Sequence, residues 1–128
     1  MSALSIVLTL TEAGEDLRET AESALAAASA ANLAAELIVP VPQGAEAAVQ
    51  AELRDMPCRI LPVAEEHPAA WNNRGAEAAS GDLLLFLQEG VLFTAESLGT
   101  MERVFFFDQN VAAVGPYGSH TIFSWQYH

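Results

Sequence analysis

The residues with the best claim to chemistry sit at the end of one apolar run. Leu83-Leu84-Leu85-Phe86-Leu87 empties into Gln88-Glu89-Gly90. A short apolar run that stops at polar side chains is how a buried central parallel strand delivers groups to a site at its carboxyl end. That tip carries a single carboxylate, Glu89, beside the amide of Gln88. Divalent hard cations take oxygen ligands and are held best where carboxylates converge. Glu89, helped by Gln88 or Glu12, therefore makes at most a weak metal site, and a solvated strand-end acid is the plainer expectation. His67, His120 and His128 are too dispersed to suggest a shared ligand set, and Ser80, Ser119 and Ser124 lie in nothing like a nucleophile elbow. There is no dinucleotide fingerprint and no P-loop. The lone Cys58, next to Arg59-Ile60-Leu61, excludes an internal disulfide and reads as a small buried hydrophobe.

Positioning these groups falls to alternating strands and helices. Residues 5–10 (Ser-Ile-Val-Leu-Thr-Leu) are β-rich and predict a first strand. A helix is expected over 15–31, with Leu17, Ala21, Ala24, Leu25 and Ala28 forming a narrow face and Asn32 as its stop. Residues 36–39 predict a second strand. The prolines of Pro40-Val41-Pro42-Gln43-Gly44 argue against its continuing as a central ladder. A helix over 45–55 buries Val49 and Leu53. Residues 58–63 form a short edge strand, since Pro62 cannot donate a ladder hydrogen bond. Pro68 suits the start of a helix over 69–79. Ser80-Gly81-Asp82 turns the chain into the strand at 83–87, and Asp82 reads as a turn residue. Thr94 caps a helix over 95–107, with Leu98, Met101, Val104 and Phe105 as its buried stripe. Residues 111–114 predict a fifth strand. The sum is an α/β fold, a Rossmann-like three-layer sandwich with a mostly parallel sheet.

Composition narrows the partners. The chain has 128 residues, enough for one domain with a real core, and 52% of them are hydrophobic. Its net charge is −12, from 17 acids against five arginines and no lysine. A field of that sign repels nucleic acid and anionic membranes. No apolar run is long enough to span a bilayer, and the start carries no basic residue of a secretory signal. A cytoplasmic protein is the expectation.

The run A-A-W-N-N-R-G-A-E-A-A-S-G-D-L-L-L-F-L, followed by V-L-F-T-A-E-S-L and D-Q-N-V-A-A-V-G-P, resembles the family 2 glycosyltransferases of the GT-A fold. There, a helix ending in N-x-G leads through x-A-x-G-D into an L-F-L-D-A-D strand. The opening S-I-V-L-T-L-T-E-A-G-E-D-L is similar to that family's S-I-V-I-P-T-Y-N-E-x-E-x-L. The likeness runs over residues 4–116 and corresponds to the family's nucleotide-binding half, a truncated GT-A domain. Its acceptor-binding half would have to follow Pro116. Residues 1–116 are thus read as the domain and 117–128 as an aromatic tail.

The resemblance implies transfer of a sugar from a nucleotide-sugar donor, with the donor near Thr9, Thr11, Pro40, Val41, Pro42, Gln43, Asn73, Arg74, Gln88 and Glu89. It also implies magnesium or manganese wherever donor binding is retained. The departures are chemical. The family's D-A-D is here Gln88-Glu89-Gly90, so Glu89 takes the middle place, where the family has no fixed charge. The V-D-D-G-S acids that contact the nucleoside are replaced by Pro40-Val41-Pro42-Gln43-Gly44. The arginine before the N-x-G asparagine is Asn72. A catalytically degenerate domain is therefore expected. The alternative is a non-enzymatic interaction module, a homo-oligomer formed through Phe105, Phe106, Phe107, Phe123, Trp125 and Tyr127. A receiver-like signalling domain would need an acidic pocket and a lysine that the chain lacks.

Overall fold

A computed structural model describes residues 3–11 and 16–107, the side chains of 104–107 excepted. The order is β1 (Ala3–Thr9), α1 (Leu17–Ala30), β2 (Ala34–Pro42), α2 (Glu46–Glu52), β3 (Arg59–Val63), α3 (Pro68–Ala78), β4 (Leu83–Gln88) and α4 (Ala95–Phe107). The sheet order is β3-β2-β1-β4, with every pairing parallel. The α/β sandwich expected from the sequence is the fold observed. The predicted strand at 111–114 and the aromatic tail lie outside the described residues.

Period-two alternation sorts β1 between two layers. Leu4, Ile6 and Leu8 join Leu37, Val39 and Val41 of β2 and Leu87 of β4 in one core. The same core takes Leu17 and the alanines at 21, 24, 27 and 28 from α1, Val49 from α2 and Leu98 from α4, so these three helices share a face. The small α1 stripe lets that helix lie close on the strands. Its end is a Schellman turn. Asn32 adopts φ 63° and its N–H reaches Ser29 O at 3.0 Å, while Leu33 N–H reaches Ala28 O at 2.9 Å.

The opposite face carries α3, which packs over β1, β2 and β3. Its approach to β1 depends on Gly75, where an added Cβ would sit 2.4 Å from Val7 Cγ1. Gly81 is similarly crowded: a Cβ there would meet Ser5 Oγ at 2.7 Å and Ala3 O at 2.8 Å. The glycines of the Asn-Arg-Gly and Gly-Asp stretches are thus packing residues. Asp82 accepts the Ala3 N–H at 3.3 Å, in keeping with a turn role.

Two expectations are corrected. β2 does not stop before Pro40 but runs through Pro42, and it is a central strand. Pairing with β1 ends at Ile38, while pairing with β3 runs from Ile38 to Pro42. The Gln43 N–H donates to Val63 O of β3 at 3.2 Å. Counting back by twos, Val41 and Val39 donate toward β3, and the nitrogens of Pro40 and Pro42 face β1, where the ladder has already ended. The prolines fall where no donor is needed. The second correction concerns β4. Among the described residues it is an edge strand paired with β1 alone, and Leu84 and Phe86 are 45% and 50% exposed. They lie on the face opposite α4.

At the start of the sheet, Ser5 and Ser80 hydroxyls and the Ser80 N–H donate to one Glu36 oxygen, and Ser5 Oγ accepts the Gly81 N–H at 2.8 Å. The Ser5 hydroxyl, then Ser80, hold the Glu36 carboxyl below its ordinary pKa. A depressed carboxyl contributes stability above its unfolded pKa and loses it as pH falls through the folded one. The stability gap between wild type and Glu36→Gln should therefore be full at neutral pH and shrink through the acid range, read by urea titration at stepped pH. Gly75→Ala should cost about 1–3 kcal/mol from overpacking, outweighing a helix-propensity gain of about 1 kcal/mol. Combined with Val7→Ala, its cost should fall below the sum of the two single changes.

Candidate functional site

Beyond the ends of β1 and β4 the chain forms a polar junction, built from Glu89 outward. Glu89 is not the solvated acid expected at a strand tip; it is 7% exposed. Its N–H continues the ladder by donating to Thr9 O at 2.9 Å. One carboxylate oxygen accepts the Thr11 N–H at 2.9 Å and the Thr11 hydroxyl at 3.3 Å. The other accepts the Asp16 N–H at 3.0 Å. Asp16 is the N-cap of α1 and its own side chain makes no capping bond. Glu89 thus supplies, from far along the chain, a negative group at the positive end of that helix.

The loop that follows is held to the same helix. The turn from Gln88 closes through Val91 N–H on Gln88 O at 3.2 Å, with Gly90 at φ 98°. The Gly90 N–H donates to Thr20 Oγ1 at 2.8 Å. The Ser23 hydroxyl donates to Phe93 O and accepts the Phe93 N–H, each at 3.0 Å. Thr94 then caps α4, its hydroxyl oxygen accepting the Ser97 N–H at 3.1 Å. Thr20 and Ser23 were not singled out from the sequence. Thr20 interrupts the buried stripe between Leu17 and Ala21, and a polar group there requires a partner. That interruption was the available signal.

The expected donor residues fall into three groups. Thr9, Thr11, Gln88 and Glu89 come together at neighbouring strand ends; Thr9 is buried, and its hydroxyl lies 3.4 Å from Leu87 O. Pro42 ends β2 and Gln43 follows it in a turn, whereas Pro40 and Val41 are fully buried within the strand. Asn73 and Arg74 lie within α3 with exposed side chains. Arg74 is committed to Glu65 at 2.6 Å and to Glu77 at 3.1 Å. Those partners, Glu65 first, raise its pKa, and Arg74 lowers that of Glu65.

The carboxylate does not fit the metal role. Both of its oxygens face N–H donors, and a cation would have to displace them. Among the described residues no group of three or more His, Cys, Asp or Glu is placed to hold a metal ion, and Glu12 lies outside them. Cys58 is half-buried rather than buried, free, and shifted upward in pKa by burial. His67 is exposed before α3, where it makes no side-chain cap. His120, His128, Ser119 and Ser124, and the side chains of Phe105, Phe106, Phe107, Phe123, Trp125 and Tyr127, lie outside the description. No helix among the described residues is long and apolar enough to cross a membrane.

Glu89→Gln puts an amide NH2 against a backbone N–H that has no other acceptor among the described residues. It should cost about 1–3 kcal/mol in urea unfolding and speed hydrogen exchange at the Thr11 and Asp16 amides.

The chain matches no family model, no curated protein and no solved structure among those compared.

Proposed function

We propose that this chain is a glycosyltransferase family 2-like domain, of GT-A type, that has lost cation-dependent sugar transfer. The supporting observation is Glu89, the one acid at the tip where such chemistry would sit, with both oxygens engaged by Thr11 and Asp16. Ligands of open α/β sheets bind at the carboxyl ends of the strands, where the strand order reverses. In the order β3-β2-β1-β4 that reversal falls between β1 and β4, beside Thr9, Thr11 and Gln88.

A nucleotide-sugar entering there would bring a diphosphate to a protein of net charge −12. Arg74, the nearest arginine in the resemblance, is already paired with two acids. The difference between a millimolar and a micromolar donor is about 4 kcal/mol. A bridging cation or a free arginine is the usual source of that much phosphate binding, and neither the tip nor Arg74 offers it. Retained binding is therefore weak and independent of divalent metal.

Calorimetric titration with UDP-, GDP- and dTDP-sugars, with and without magnesium or manganese, tests this. Millimolar or undetectable affinity, unchanged by metal, is the expected result. Micromolar, metal-dependent binding would overturn the loss of cation chemistry.

A further inference from the structure

We infer that the outer edge of β4 accepts an extended, cationic peptide segment of another protein as an added antiparallel strand. The two outer strands of the described sheet differ in how their edges are built. On β3, Val63 O accepts the Gln43 N–H. Counted by twos, Leu61 and Val63 turn their backbone groups to β2, and Ile60 and Pro62 turn theirs outward. Pro62 has no N–H to offer, and a proline on an outer edge guards against strand addition. On β4 the Glu89 N–H donates to Thr9 O, so Leu83, Leu85 and Leu87 face β1. Leu84, Phe86 and Gln88 then turn their backbone groups outward, and none of them is a proline. Among the described residues the N–H and C=O of Leu84 and Phe86 have no ladder partner on that side.

The side chains along the same edge say what would fit it. Asp82, Leu84, Phe86 and Gln88 are all exposed, and residues two apart on a strand stand on one face. The row reads acid, apolar, apolar, amide. Its complement is a strand with two apolar residues, two apart, opposite Phe86 and Leu84, and a cation opposite Asp82. Antiparallel pairing is the more stable per residue, which places that cation on the carboxyl side of the apolar pair.

Charge selects the source. β1 and β4 carry no charged side chain, and the chain as a whole carries −12. Such a field draws a basic segment toward the edge and opposes a second copy of this chain. Main-chain hydrogen bonds would supply the affinity and the side-chain row the selectivity, as in other strand additions.

The test titrates the full chain with a fluorescein-labelled heptapeptide, Thr-Lys-Ile-Thr-Val-Thr-Lys, followed by anisotropy. Two further peptides carry N-methyl groups on alternate residues, one on the odd set and one on the even. Only one set can donate to β4, so one methylated peptide should lose binding and the other keep it. A peptide with Glu for both lysines should not bind. Phe86→Ser should weaken binding by at least about tenfold, and Asp82→Asn by up to about fivefold. In the free chain the Leu84 and Phe86 amides should exchange rapidly with solvent and slow when the peptide is added. No binding, or equal behaviour of the two methylated peptides, overturns the inference. Slow exchange of those amides without peptide, as from an edge already covered by this chain or a second copy, overturns it as well.

Discussion

A carboxylate taken out of water must be answered by donors, and Glu89 draws its own from two elements more than seventy residues away. Those bonds set the end of β1, the start of α1 and the end of β4 at one point. Thr20 and Ser23 then extend the seam along α1, so the exit of β4 and the entry of α4 are both fixed to that helix. Glu36 does comparable work at the other end of β1, through Ser5 and Ser80. In a chain with no lysine, both structural acids are satisfied by N–H and hydroxyl groups instead of by cations. The arginine pairs lie on the surface, Arg18 with Glu22 and Arg74 with Glu65 and Glu77, where screening leaves each about 0–1 kcal/mol.

This placement links architecture to the proposed loss of chemistry. A metal-binding tip needs carboxylate oxygens directed outward into a cleft. The tip of β4 directs its acid inward and exposes only the amide of Gln88. A residue cannot serve as a helix-terminal anchor and as a cation ligand with the same lone pairs. An outward acid placed at the exposed position 88 would leave the internal clamp untouched, which separates the two roles physically.

What could be read in the chain beforehand follows the range of the interaction. The α1 stripe, Asn32 as a stop, Pro68 at the start of α3, Thr94 as a cap and the edge position of β3 all depend on a few neighbouring residues, and all were legible. The glycines of Asn-Arg-Gly and Gly-Asp could be recognised, but their reason, contact with Val7 and Ser5, could not. The reach of β2 was misjudged because a proline's cost depends on which neighbour its missing N–H would have faced. Glu89 was misjudged because its donors belong to other elements. The exposure of Leu84 and Phe86 ran against an apolar run that looked buried on both sides. Local pattern states that a residue is apolar, but not whether a helix lies over it.

The strand order also has a consequence in time. β1 pairs with β2 some thirty residues on, but its other neighbour lies 78 or 79 residues away. At roughly 5–20 residues per second of synthesis, β1 waits on the order of 4–16 s for β4. During that interval one edge of the most buried described strand is open, with Glu89 not yet made and the start of α1 without its acceptor. Parallel pairings between distant segments are slow to close and leave such edges exposed to other chains. Protection of this nascent edge, more than the finished core, is where the protein would depend on its cellular surroundings.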